Sequence, residues 1–382
     1  MHPFSGQPIS FSHPMLAPLK LENNHDAFGF ISCSPDTDYQ DMIRTLKESL
    51  PLTMVGGTSL GDPFDNSGDA FGTSMAFVGK KGVKTATAVS MPITGDNSAE
   101  VMTDLYTRCS DVLGEPAKLF LVFLPLVPDL FMDSLVGELF RLANGVPVFG
   151  TMVSTDFNSD RFAVFANGES YGDRIAMVAL AGNIRPVFGV GQESTVPSDY
   201  APIVTEAEGN VIRTVDGIPF GEYLKKYDID ASSLEEFPII VRMFGPDGDS
   251  GDQRLTILVK IGDDNEGILG NTVRVGDGIG LGYLSRENIE KSTSSCLEQL
   301  TSAMRKEEKT GYRFDIILAV SCASRYYAGG SHLLEADMLN AALPDGTSTF
   351  GMYGYGEICP VIDESGVANN RQIRQALVMC AF

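Results

Sequence analysis

Histidine is scarce in this chain of 382 residues, which holds only His2, His13, His25 and His332. The first three fall in or beside a proline-rich N-terminal arm. Catalysis or metal binding built on imidazole therefore has little material. Cysteine occurs as Cys33, Cys109, Cys296, Cys322, Cys359 and Cys380, never as Cys-x-x-Cys. The six lie far apart in mostly apolar stretches, so a disulfide framework or zinc site is poorly served. Reduced, buried thiols in the cytoplasm are the expectation. Positive charge is short as well: 28 Lys and Arg against 50 Asp and Glu leave a formal net charge of −22. That balance lacks the basic footprint that nucleic acid or an anionic membrane surface demands, and suits solubility. Long apolar runs are missing too. The longest, LFLVFL at Leu119–Leu124, stops at Pro125, far short of the ~20 residues of a membrane span. Residues 1–19 carry Pro3, Pro8, Pro14 and Pro18 and no apolar segment like that of a secretory signal.

What is present describes a folded chain. Hydrophobic residues make up 43% and charged residues 20%, enough for a sizeable core in two or three domains. Apolar residues at 3–4 spacing predict helices over 38–50, 98–113, 129–143, 286–307 and 331–342. Ser285 is placed to cap the fourth of these, with Glu287 favouring its dipole. A smaller helix is expected at 219–226. Shorter β-type runs bounded by Gly, Pro, Asn and Asp number about three times as many. The expected class is α/β, with mixed β-sheets covered by helices.

An internal echo appears three times. Strand 27–33, helix 38–50 and PLTMVGGTSLGD (51–62) lead to a returning strand at 71–79. Strand 118–124, helix 129–143 and VPVFGTMVSTDF (146–157) lead to 173–181. Strand 313–321, helix 331–342 and STFGMYGYGE (348–357) lead to 375–382. Each reads β-α-β-β, with its first two strands parallel by a right-handed crossover. The second strands end at Gly56-Gly57, Gly150 and Gly354-Gly356. Ligands gather at strand C-termini in open α/β sheets. The arm spans 1–24, and two modules are expected at 25–218 and 219–382, divided near Gly217-Ile218-Pro219.

The densest glycine pattern is STFGMYGYGEICP (348–360), where Gly351, Gly354 and Gly356 alternate with Phe350, Met352, Tyr353, Tyr355 and Ile358. Glycine at this density in a strand signals a bulge or a close backbone approach. The run ends in Glu357. A buried carboxylate is costly and needs a cation, a backbone N–H cluster or a ligand amine. Arg325, three residues beyond Cys322 at another strand end, can grip a carboxylate bidentately. Together they suit a zwitterion, Arg325 taking its carboxylate and Glu357 its ammonium. Alternatively Arg325 forms a salt bridge with Glu357 or Glu335. Tyr353 and Tyr355 can line or close such a pocket, or one of them can be core. Cys322 could be a thiolate stabilised by Arg325 or a following helix, or a small buried sulfur; His332 is the single histidine near it in sequence, and nothing orients that pair.

The turn Gly56-Gly57-Thr58-Ser59 offers N–H groups and hydroxyls to a carboxylate or phosphate. It lacks the Lys and following helix of a P-loop. GVGQES (189–194) and GDGIGLG (276–282) lack the strand–turn–helix setting of a dinucleotide site and read as turns. Asp247, Asp249 and Asp252 are spaced like part of a calcium loop without its closing Glu.

In this order VGGTSLGD (55–62), VPVFGTMVSTDF (146–157), VTEAEGNVIRTVDGIPFGEYLKKY (204–227), VSCASR (320–325) and FGMYGYGEICP (350–360) resemble the N- and C-terminal modules of FIST proteins. The resemblance covers nearly the whole chain from about residue 25. It implies a sensory module for a small ligand, with amino acids proposed for the family. Gly57, Thr58, Ser59, Gly150, Thr151, Cys322, Arg325, Tyr353, Tyr355 and Gly356, with Glu357, are then the candidate ligand residues. Where the family pattern shows Phe-His-Asn, this chain has Val367-Ala368-Asn369-Asn370. A role for that His does not carry over, while Asn370 stands for the Asn. No cofactor is expected. With no output domain recognisable after the second module, a partner protein or self-association is expected to pass the signal on. The competing expectations are an enzyme using Cys322 or Glu357 and a ligand-free scaffold.

Overall fold

The computed structural model describes residues 28–49, 52–65, 73–78, 82–94, 97–127, 132–155, 161–193, 202–227, 229, 239–244, 254–329, 333–343, 348–362 and 368–382. The arm at 1–24, the acidic loop with Asp247, Asp249 and Asp252, and all four histidines lie outside these residues.

The first unit runs β1 (Phe28–Cys33), α1 (Tyr39–Ser49), β2 (Thr53–Thr58) and β3 (Thr73–Val78). After β4 (Val83–Val89) and α2 (Ser98–Leu113) comes the second: β5 (Leu119–Leu124), α3 (Met132–Ala143), β6 (Val148–Met152), the short β7 (Val164–Ala166) and β8 (Glu169–Tyr171), and β9 (Ala176–Gly182). Then follow β10 (Val187–Gln192), β11 (Val204–Glu208), β12 (Val211–Val215), β13 (Ile218–Pro219), α4 (Phe220–Lys225), β14 (Ile239–Phe244), β15 (Arg254–Ile261), β16 (Gly267–Leu269) and β17 (Gly278–Tyr283). The third unit comprises α5 (Arg286–Glu308), β18 (Ile316–Cys322), α6 (Ala323–Ala328), α7 (Leu333–Ala342), β19 (Ser348–Gly354), β20 (Glu357–Ile362), β21 (Ala368–Ile373) and β22 (Ala376–Ala381).

The echo in the sequence is an architectural repeat. In each unit the first two strands are parallel and the returning strand pairs antiparallel with the first: β3-β1-β2, β9-β5-β6 and β22-β18-β19. The units also exchange strands. β7, which follows β6, pairs with β2 of the first unit, and β20, which follows β19, pairs with β6 of the second. The residues after β2 complete the cycle by approaching β19, where the Tyr353 amide donates to Gly61 O at 3.3 Å.

The inner faces of the three sheets share one apolar core. Phe30, Phe123 and Phe350, one from each unit, meet there, with Phe30 centroids 6.4 Å from Phe123 and 5.2 Å from Phe350. Burying a Phe contributes roughly 1.5–3 kcal/mol. Helices cover the outer faces. α1 buries Tyr39, Met42, Ile43 and Leu46 on the first sheet. α2 and α3 cover the second, and α5 with α7 the third. Ser285 caps α5: its side chain accepts from Asn288 N while Asn288 reaches back to Ser285 N. That satisfies two otherwise orphaned donors.

Between the second and third units, residues 202–283 form a separate barrel in the order β11-β12-β16-β15-β14-β17. Ile203 bridges Gly278 to close it, supported by Ile279 N donating to Pro202 O at 2.8 Å. Val204, Ile212, Phe220, Val241, Met243, Leu258 and Ile279 fill its interior. Closure leaves few backbone groups unpaired at an edge. Four local readings change in the structure. GVGQES begins inside strand β10, paired along Gly189–Gln192 with β22, and GDGIGLG is mostly strand β17, paired from Gly278 with β14, rather than turns. The stretch after Glu357 is a hairpin, β20–β21, drawn out by β6. The turn after Cys322 winds into α6.

Candidate functional site

The ends of the three second strands converge. Thr58 N donates to Ala163 O at 2.9 Å and Ser154 N to Thr58 O at 3.1 Å. Ser59 Oγ accepts from the Tyr353 amide at 2.8 Å and donates to Gly61 O at 2.6 Å. Ser154 Oγ donates to Tyr353 O, and the Tyr355 hydroxyl donates to Thr155 O. Thr151 Oγ1 donates to Gly356 O at 2.8 Å. Gly57, Gly150 and Gly354 are spaces into which neighbours press: a Cβ on Gly354 would stand 1.8 Å from Thr151 Oγ1. Gly57, Thr58, Ser59, Gly150, Thr151, Tyr353, Tyr355 and Gly356 thus gather at one junction. Its named hydroxyls are occupied by protein carbonyls, so the junction chiefly pins the units together.

Arg325 is buried, and it is not the partner of Glu357. Its Nε and Nη2 donate to Glu335 Oε1 at 3.0 and 2.8 Å, Nη1 to Ser292 Oγ at 2.8 Å and Nη2 to Thr293 Oγ1 at 2.9 Å. Nη1 also reaches Gln375 O at 3.4 Å. The five guanidinium N–H groups are thereby committed to the protein, and the other Glu335 oxygen accepts from Ser321 Oγ at 2.6 Å. The expected carboxylate grip by Arg325 is corrected accordingly: the salt bridge to Glu335 takes its donors. Burial makes any unpaired charge here so costly that the ion pair with its hydroxyl shell is the favourable arrangement.

Glu357 stands apart from that pair. It is 0% exposed. Oε2 accepts from Ala376 N at 3.2 Å, while Oε1 has no hydrogen-bond partner among the described residues. Burial pushes its carboxyl up to about 8, against the opposing Ala376 N–H, the Arg374 charge and a hydrogen bond with Cys322. The carboxyl is therefore largely protonated at neutral pH. Cys322 is buried as well, and desolvation with the Glu357 charge pushes its thiol up to about 12. Ser324 Oγ donates to its sulfur at 3.2 Å. A thiol so placed is a poor nucleophile.

The internal repeat shows how unusual Glu357 is. Gly56 pairs with Ile31, and Gly150 with Val122, each the fourth residue of its unit's first strand. Across the other edge, Gly56-Gly57 face Phe165 and Val164, while Gly150-Thr151 face Ile358 and Glu357. Val164, buried in the apolar core, holds the place that Glu357 holds in the next unit. A carboxyl occupies a position at which the same scaffold elsewhere accepts valine.

Sequence reasoning missed the other polar groups beside Glu357. Arg374 has its guanidinium carbon 3.9 Å from the Cβ position of Gly356. Gln375, 0% exposed with φ +56°, donates from Nε2 to Thr256 O of the barrel at 3.1 Å. Gln375 Oε1 and Thr256 Oγ1 have no hydrogen-bond partner among the described residues. The available signal was a glutamine opening an otherwise apolar strand, QALVMC. Asn370 lies elsewhere. Paired with Pro360, it is three residues along β20 from Glu357, about 10 Å at strand rise. Its amide accepts from Val148 N and donates to Val146 O, both at 2.8 Å, latching β21 to β6. Among the described residues no three His, Cys, Asp or Glu side chains are grouped to hold a metal, and no helix is long and apolar enough to cross a membrane.

Two family models match the chain: one described as the FIST N domain, over residues 27–218, and one as the FIST C domain, over residues 220–360. No curated protein matches it in sequence. Among solved structures, a cyanuric acid hydrolase is similar over 94% of this chain and 91% of its own, at 7% identity and a TM-score of 0.28. That likeness is too slight to bear on activity.

Proposed function

The chain belongs to the FIST family, whose domains are generally sensory modules that bind small ligands, and we propose that it senses a small polar metabolite, an amino acid or a related amine, at Glu357. The observation that carries this reading is the unsatisfied Oε1 of a fully buried carboxyl, at a position where the repeat holds Val164. A buried acceptor left open costs about 1–3 kcal/mol. A ligand amine offsets that cost by donating to Oε1. Arg374 takes the part expected of Arg325, as the cation beside Glu357 that faces the ligand's carboxylate. Gln375 and Thr256 add polar groups from the third unit and the barrel. Gln375 Nε2 joins the two, so occupancy of the site reaches the barrel through one side chain.

The neutral Cys322 thiol argues for binding rather than thiol chemistry. The six free, buried cysteines suit a cytoplasmic setting. Output then passes through a signalling partner or self-association. A thermal-shift screen over the amino acids and common metabolites tests the reading. Stabilisation by at least one compound, lost in Glu357→Gln, is expected. Absence of any stabilisation across the screen favours a ligand-free scaffold.

A further inference from the structure

Resting on that reading, we infer that a ligand's protonated amine and the proton of Glu357 compete for the same carboxyl, so that each amine bound releases one proton. The geometry is that of a single open acceptor. Oε2 is held by Ala376 N, the Cys322 thiol lies against the carboxyl, and Oε1 has no hydrogen-bond partner among the described residues.

Among the described residues, the ionisable surroundings of Glu357 offer no other way to balance its charge fully. Of the strands packed on β20, β6 (VFGTM) and β10 (VFGVGQ) bring no ionisable side chain. β18 brings Cys322 and β22 brings Cys380, both held as neutral thiols by burial. β21 brings Arg371, which is exposed. Arg325 on α6 is committed to Glu335. Arg374, between β21 and β22, lowers the cost of ionising Glu357 without overcoming burial, which keeps the carboxyl at about 8. Uncharged Glu357 therefore carries its own proton at neutral pH. An arriving ammonium group makes three N–H donors and one positive charge available at Oε1. The carboxyl then ionises, its proton passes to the buffer, and the carboxylate–ammonium pair that remains has the same net charge as the protonated acid alone. A ligand without an amine has no such exchange to drive.

The inference commits the site to ammonium-bearing ligands and makes occupancy sensitive to pH. For one proton released per ligand, and a free-site value of about 8, affinity rises roughly 50-fold between pH 6 and pH 8. The test uses the full chain with ethylammonium, L-alanine and propionate as probes. Apparent affinities come from thermal shift at pH 6 and pH 8, and protons released at pH 6 come from calorimetry in two buffers of different ionisation enthalpy. The expected result is binding of ethylammonium and L-alanine, tighter at the higher pH, with about one proton released and no binding of propionate. In Glu357→Gln the pH dependence is flat.

Equal affinity at both pH values, retention of the pH slope in Glu357→Gln, binding of propionate alone, or no binding of any of the three overturns the inference. A metabolite without an amine that still stabilises the chain in the wider screen leaves the sensor reading standing while removing this one. No stabilisation in either experiment removes both. Should Glu357→Gln fail to fold, infrared spectroscopy on the unmodified chain decides. The C=O stretch of a buried protonated carboxylic acid must be present without the probe and lost on adding L-alanine at pH 7; a band unchanged by saturating L-alanine overturns the exchange.

Discussion

Gly56 and Gly150 occupy the same place in two different units. Each pairs with the fourth residue of a parallel neighbour, Ile31 and Val122, with φ of +151° and +156°. A Cβ would stand 1.8 Å from Ile31 O in the first case and 1.9 Å from Val122 O in the second. No rotamer relieves a clash with backbone. The glycines therefore let the second strand of each unit run against the first without a side chain between them.

Gly150→Ala and Gly56→Ala are expected to destabilise the chain by about 3 kcal/mol or more, from combined backbone strain and overlap. Chemical denaturation measures this. Gly137→Ala is the control, since a Cβ there meets nothing within 4 Å on helix α3. It should be neutral or gain up to about 1 kcal/mol from helix propensity. Equal stability of Gly150→Ala and Gly137→Ala contradicts the packing described.

Arg325→Met and Glu335→Leu should each cost about 3–5 kcal/mol, because each strands a buried charge. The two together should cost less than their sum, with a coupling measurable in a double-mutant cycle. Loss of ligand response in Arg325→Met with unchanged stability is the opposite outcome, and it returns Arg325 to the ligand.

Stability should depend on Glu357 with a definite sign. Its folded carboxyl, at about 8, lies above the ordinary 4.5, so the native state keeps a proton that the unfolded chain has lost. The contribution is fully present below 4.5 and declines as pH rises to about 8. The slope reaches at most about 1.4 kcal/mol per pH unit. Glu357→Gln should lack this slope, so the difference between the two proteins' stability curves should carry it between pH 5 and pH 8. Parallel curves refute a shared proton-binding origin.

Cys322 should resist iodoacetamide in the native chain at pH 7. A thiol held at about 12 is roughly one part in 10⁵ thiolate at that pH. Peptide mapping after a short exposure should find it unlabelled until denaturant is added. Prompt modification of Cys322 in the folded protein restores the enzymatic alternative.

Local patterns carried much of this fold. The 3–4 spacing around Ile289, Cys296, Leu297, Leu300 and Met304 marks α5, and Ser285 marks its start, because helix period and capping depend only on near neighbours. The threefold β-α-β-β echo was legible for the same reason. β20, β21 and β17 were harder to read. Their strand character comes from partners far along the chain, namely β6 for β20 and β14 for β17.

The glycines near Ser59, Thr151 and Tyr353 marked three equivalent strand ends from sequence alone, since close backbone approach needs an absent side chain. Which charges meet there was decided by tertiary packing. Glu335 is ten residues from Arg325 and Glu357 thirty-two, and neither spacing says which carboxylate reaches the guanidinium. Exchange of β20 into the second unit carries Glu357 to a position that Val164 fills in the first, and burial there makes its carboxyl keep its proton. Desolvation depends on everything surrounding a group, and the chain order contains none of that until the three units close on one another.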